Sequence, residues 1–148
     1  MTEKSPYSSV LNELTSECFR LNRSFLEVSQ QLTEGAGVTG TQWGVLAALG
    51  QGGEPTTVAE TARRMGLARQ SVQRVADMLA ATGLVKYVPN PEDKRAKLVE
   101  VTAPGRALLE DLKGRQHAWV DSIVSDYSDV DIDAAIKLIK NIRQRISQ

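Results

Sequence analysis

Residues 57–102 read TVAETARRMGLARQSVQRVADMLAATGLVKYVPNPEDKRAKLVEVT, and the fold is decided there. Thr57 followed by Glu60 has the spacing of a capping box, in which two side chains satisfy free amides at a helix start. A short helix is expected from that point. Within it, Ala62, Arg63, Arg64, Met65 and Gly66 set a small residue four positions before a glycine. Helices that cross closely need a residue without bulk at the contact, and the tight turn between them needs a backbone that accepts positive φ. The run from Leu67 to Thr82 then reads as a second helix. Its Val72, Val75, Ala76 and Leu79 share one face, while Arg69, Gln70, Gln73, Arg74 and Asp77 share the other. Two helices joined in this way make a helix-turn-helix, with the second as the recognition helix.

The outward residues of that helix suit base-edge chemistry. Arginine can donate two hydrogen bonds to guanine O6 and N7, and glutamine can pair with adenine N6 and N7 in the major groove. Ser71, near the helix start, suits a phosphate contact. In an isolated helix the same residues would equally serve as a solvated, helix-favouring surface. The residues from Gly83 to Thr102 favour the base-edge reading. Gly83 closes the helix where a left-handed residue is preferred. Leu84–Val88 and Leu98–Thr102 are rich in β-branched and apolar residues and flank a polar loop from Pro89 to Lys97. That pattern predicts a hairpin with a basic tip, a wing. Asp93 lies two positions before Arg95, so its carboxylate can hold either the guanidinium or the loop backbone. Arg95 is then placed to enter a narrow minor groove, with Lys94 and Lys97 on phosphates.

Outward from this stretch the chain reads as helical. Leu11, Leu14, Cys18, Leu21, Phe25, Val28 and Leu32 recur at steps of three and four, the seam of a long first helix. Residues 34–37 break it, and Thr39 with Gln42 repeats the capping-box spacing ahead of a helix over about 40–49. Thr102 can cap a further helix from Ala103 to about Tyr127. After a break at 128–131, Ile132, Ile136, Ile139, Ile142 and Ile146 form another apolar seam. The two seams either pack within one chain or meet a second copy.

The 148 residues carry 18 basic and 18 acidic side chains, so the chain as a whole lacks the basic footprint common in nucleic-acid binders. The charge is unevenly spread. Residues 1–55 hold three basic and six acidic side chains, residues 56–104 eight and five, and residues 105–148 seven of each. The anion-seeking part is the middle. An enzyme needs a nucleophile, base or metal constellation. With His117 and Cys18 as the single histidine and cysteine, and no glycine-rich phosphate loop, no enzyme, metal site or cofactor is expected. No apolar run approaches membrane-spanning length, and Met1–Ser9 lacks the pattern of a secretory signal, so a cytoplasmic location is expected.

On the helix-turn-helix, the Gly83-Leu84-Val85 turn, the wing-tip Asp93 and Arg95, and the closing segment Leu98–Gly105, the chain resembles the MarR family of winged helix-turn-helix transcriptional regulators. The resemblance also takes in the helix carrying Gln42 and Trp43. The recognition helix opens with Ala68, where the family often has a serine or similar cap, which leaves that end less firmly fixed. The fold class implied is mostly α with a small β-hairpin wing. One unit would span 1–148, with dimerisation helices at 8–36 and 105–148 around a DNA-binding lobe at 39–104.

The resemblance implies a homodimer on double-stranded DNA, contacting an inverted repeat through Arg69, Gln70, Ser71, Gln73, Arg74, Lys94, Arg95 and Lys97, with Asp93 supporting the wing. It also implies a repressor released by a small aromatic or phenolic ligand in a cleft near Trp43, although a tryptophan in such a helix reads first as a core residue. Some relatives sense oxidants through a cysteine in the first helix, which gives Cys18 a redox reading. Its position on an apolar seam makes it otherwise a small buried hydrophobe. A dimeric interaction module without DNA binding would account for the zero net charge but not for the basic helix and wing.

Overall fold

In the computed structural model, residues 6–147 are described, with side chains from Ser9 onward; Met1–Ser5 and Gln148 of the expected unit lie outside the described residues. Helix α1 covers Pro6–Leu32. The break after it leads to Thr39, whose side chain accepts from the Gln42 amide at 3.2 Å while Gln42 Oε1 accepts from the Thr39 amide at 2.9 Å. This reciprocal cap starts α2, Gly40–Gly50, where the spacing places it.

Strand β1 is only Thr56–Thr57, and α3 follows at once over Val58–Met65. Thr57 accepts from the Glu60 amide at 3.1 Å, half of the expected capping box. The other half is not made. The Glu60 carboxylate turns instead to Arg63 and Arg64, because charged partners bind a carboxylate more strongly than a lone amide does. Gly66 closes α3 at φ 65°, as the small-residue and glycine spacing requires, and Ala62 lies buried at the crossing.

Helix α4 covers Arg69–Ala81, shorter at both ends than the expected run from Leu67 to Thr82. Leu67 remains in the turn because its amide is bonded to the Ala62 carbonyl at 3.0 Å. Ala68 is the N-cap and contributes no side-chain bond. At the far end Gly83, at φ 76°, turns the chain into the wing. Strands β2, Val85–Val88, and β3, Leu98–Val101, pair antiparallel with Val85 opposite Val101 and Val88 opposite Leu98. β1 pairs with the other edge of β3, giving a three-stranded sheet of order β1-β3-β2. A two-residue strand has no periodicity to read, so sequence patterning misses it.

One core fills this lobe. Val45, Leu46 and Leu49 of α2, Val72, Ala76 and Leu79 of α4, and Val85 and Val99 of the sheet are almost wholly removed from water. Each large side chain among them contributes about 1.5–3 kcal/mol of transfer free energy. Thr102 Oγ1 accepts from the Gly105 amide at 3.3 Å and opens α5, Ala103–Val124. The helix ends three residues short of the expected Tyr127, whose amide reaches back to the Val124 carbonyl in the turn.

The chain forms two compact units, one through Leu112 and one from Lys113. The second unit holds the end of α5 and helix α6, Asp129–Ile146. The expected four-residue break at 128–131 shrinks to the cap, because Ser128 accepts from the Asp131 amide at 3.2 Å and helix begins directly after it. Asp129 and Asp131 at its start and Arg143 and Arg145 at its end complement the helix dipole. None of the described residues of this unit is buried.

Candidate nucleic-acid interface

Helix α4 buries Val72, Val75, Ala76 and Leu79, and that choice of face sets what points outward. Arg69, Gln70, Ser71 and Arg74 are exposed, as expected from the spacing. Gln73 is half-buried and engaged: its Nε2 donates to Asp77 Oδ1 at 3.0 Å and to the Tyr87 hydroxyl at 2.7 Å. Tyr87 in turn donates to the same Asp77 oxygen at 2.5 Å. Burial, and then the Asp77 carboxylate, push the Tyr87 phenol up to about 12, so it stays protonated and donating at neutral pH.

In the wing, the alternatives left open for Asp93 resolve in favour of the backbone. Asp93 Oδ1 accepts from the Arg95 amide at 2.9 Å, and Asn90 Oδ1 accepts from the Glu92 amide at 3.0 Å. Two such local bonds shape the tip without engaging the Arg95 guanidinium. Lys94, Arg95 and Lys97 are all exposed.

Ion pairing separates the basic residues of 56–104 into two sets. Glu60 holds Arg63 at 2.7 Å and Arg64 at 3.1 Å, and Arg64 also donates to Thr56 at 3.0 Å. Hydrogen bonds from Arg63 and then Arg64 keep the Glu60 carboxyl below the usual carboxylate range. Lys86 pairs across the sheet with Glu100 at 3.3 Å. Among the described residues, Arg69, Arg74, Lys94, Arg95 and Lys97 make no ion pair. Of the eight basic residues in 56–104, the five assigned from sequence to DNA are thus the ones that no acidic side chain of the described residues pairs. Three of them, Arg69, Arg95 and Lys97, line one open cleft of about 350 Å³ between α4 and the wing, together with Gln73, Asp77 and Tyr87. Gln70, Ser71, Arg74 and Lys94 lie outside that cleft.

Sequence reasoning assigns no site role to Tyr87 or to Asp77. Asp77 stands four residues after Gln73, a spacing at which helix side chains meet, and that signal is present in the sequence. The reach of Tyr87 across from the wing is not.

Elsewhere, Trp43 is half-buried on α2 and is not part of the buried core. A larger cavity of about 730 Å³ lies where α1 ends and α2 begins, lined among others by Leu26, Gln30, Val38 and Thr39; Trp43 does not line it. Cys18 is exposed on α1, contrary to its reading as a buried hydrophobe. Its neighbours on the seam, Leu21 and Phe25, are also about half exposed. Among the described residues no helix is long and apolar enough to cross a membrane.

This lobe, a helix-turn-helix whose second helix presents unpaired cations beside a basic wing on a three-stranded sheet, is that of a winged helix-turn-helix regulator. Residues 36–96 match the model of the MarR family. An uncharacterized protein of Mycobacterium tuberculosis is 30% identical over 108 residues, covering 73% of this chain and 74% of that protein. The HTH-type transcriptional repressor YetL of Bacillus subtilis is 24% identical over 136 residues, covering 91% and 81%. Among solved structures, a MarR family transcription regulator superposes with a TM-score of 0.83 at 20% identity, over 95% of this chain and 93% of that one. Staphylococcus aureus MarR in complex with salicylate and kanamycin gives 0.80 at 19% identity, over 95% and 94%. A mutant Escherichia coli MarR complexed with operator DNA gives 0.79 at 19%, over 94% and 99%. The chain belongs to the MarR family, and is a DNA-binding transcriptional regulator of the winged helix-turn-helix type.

Proposed function

We propose that two copies of this chain bind an inverted-repeat operator and repress transcription until a small aromatic ligand releases them. The observation that carries the DNA assignment is the set of five cations on α4 and the wing that no acidic side chain of the described residues neutralises. Arg69 and Arg74, with Gln70, read base edges in the major groove, and Ser71 takes a phosphate. Arg95, on a tip shaped by Asp93, enters the flanking minor groove, with Lys94 and Lys97 on the backbone. The exposed apolar residues of α1 and α6, among them Leu21, Phe25, Ile136 and Ile139, supply the surface for the second copy. Repression follows the pattern of the Bacillus subtilis relative. The aromatic ligand is supported by the salicylate complex of the Staphylococcus aureus neighbour and by the cavity at the α1–α2 junction.

A gel shift with duplex DNA from upstream of the protein's own gene tests this. Arg69→Ala, Arg74→Ala and Arg95→Ala should each weaken binding about tenfold or more, the scale of a lost bidentate or groove contact. Wild-type affinity retained in all three would make the assignment wrong.

A further inference from the structure

We propose that Tyr87 and Asp77 are positioning residues that hold Gln73 so that it reads DNA through its carbonyl oxygen, accepting from the exocyclic amino group of adenine or cytosine. This rests on the proposed DNA-binding function and narrows it to the chemistry of one contact.

The three side chains close a triangle. Gln73 Nε2 lies 3.0 Å from Asp77 Oδ1 and 2.7 Å from the Tyr87 hydroxyl, and that hydroxyl lies 2.5 Å from the same Asp77 oxygen. An ionised carboxylate only accepts, so the end of the Gln73 amide facing it has to be the nitrogen. The tyrosine proton goes to Asp77, leaving the phenol oxygen to accept from Gln73. Every polarity in the triangle is then determined, and a flipped amide would set its oxygen against the carboxylate. Gln73 Oε1 has no hydrogen-bond partner among the described residues and is the end of the amide left to offer.

The arrangement changes what Gln73 can recognise. A free glutamine reads adenine with two bonds, accepting from N6 and donating to N7. Here the donor end is committed to the protein, and breaking it away would take one of two hydrogen-bond partners from both the Asp77 carboxylate and the half-buried Tyr87 phenol. What remains is a single acceptor, which matches an amino group of either an adenine or a cytosine in the major groove. The tyrosine also belongs to β2, so the triangle ties the wing to the recognition helix. Arg69, Arg95 and Lys97 line the same cleft, which puts the contact beside three of the cations assigned to DNA.

Atomic substitution in DNA separates the two modes. After selecting preferred sequences with wild-type protein, Gln73→Ala identifies the base pair whose discrimination it abolishes. At that pair, deleting the exocyclic amino group should weaken wild-type binding about three- to tenfold, the scale of one hydrogen bond. Replacing the purine N7 there by C–H should leave binding within about twofold, since no donor reaches it. Tyr87→Phe should lose most of the discrimination at that pair while keeping its affinity for unrelated DNA, which phosphate contacts set. In the free protein, the Gln73 side-chain amide protons should exchange slowly with solvent by NMR, and Tyr87→Phe should speed that exchange.

Equal losses on removing N7 and the amino group would show a bidentate glutamine and overturn the proposal, as would indifference to the amino group. Wild-type protein that fails to bind duplex DNA at all would overturn the functional reading as well. Slow amide exchange in the free protein would then still report whether the triangle exists.

Discussion

In α4, Val72, Val75, Ala76 and Leu79 are all buried, Val72 and Ala76 completely. In α6, Ile132, Ile136, Ile139 and Ile146 recur just as regularly along one side and remain 36%, 43%, 46% and 79% exposed. Periodicity states that a helix has an apolar face and is silent about what covers it. Inside the lobe the cover is internal: α2, α3 and the sheet close over α4. For α6 no described residue of its unit is buried, which leaves its apolar face open for the second copy proposed above.

That contrast can be broken directly. Ile136→Asp combined with Ile139→Asp should raise the dimer dissociation constant about a thousandfold, at roughly 1 kcal/mol for each of the half-exposed isoleucines that the two copies would bury between them. Analytical ultracentrifugation would show monomer at micromolar concentration, with the lobe still folded by circular dichroism. An unchanged sedimentation coefficient would mean that the α6 face is covered some other way. Leu46→Ala tests the opposite side of the comparison. Leu46 is fully buried in the lobe, and the truncation should cost about 3 kcal/mol in denaturant unfolding. That loss should appear at every protein concentration, whereas the effect of the isoleucine pair should fade as concentration rises.

The same division explains how much is legible from residues alone. The helix-turn-helix, the wing and the long terminal helices can be read because their signals are local: a capping box at Thr39, glycines at 66 and 83, alternating β-branched residues in 84–88 and 98–102. Strand β1 escapes because two residues carry no pattern, and Leu67 reads as helical because a turn leucine is indistinguishable from a helical one until its amide is bonded elsewhere. The outward set Arg69, Gln70 and Arg74 is likewise a matter of phase. The state of Gln73 is not, since Tyr87 comes from another element across the turn. Nor does charge counting separate Arg63, Arg64 and Lys86, already paired, from the five cations that are unpaired. Cys18 is exposed in the single chain for the reason that α6 stands apart: an apolar seam implies burial only where something packs on it.

Hydroxyl-radical footprinting on duplex DNA selected by the wild-type protein tests the central claim most directly. Two recognition helices and two wings on a two-fold axis should protect inverted half-sites about one helical turn, roughly 34 Å, apart. Arg95→Ala should remove protection from the outer minor-groove positions alone. Protection of a single half-site, or an unchanged footprint in Arg95→Ala, would contradict it.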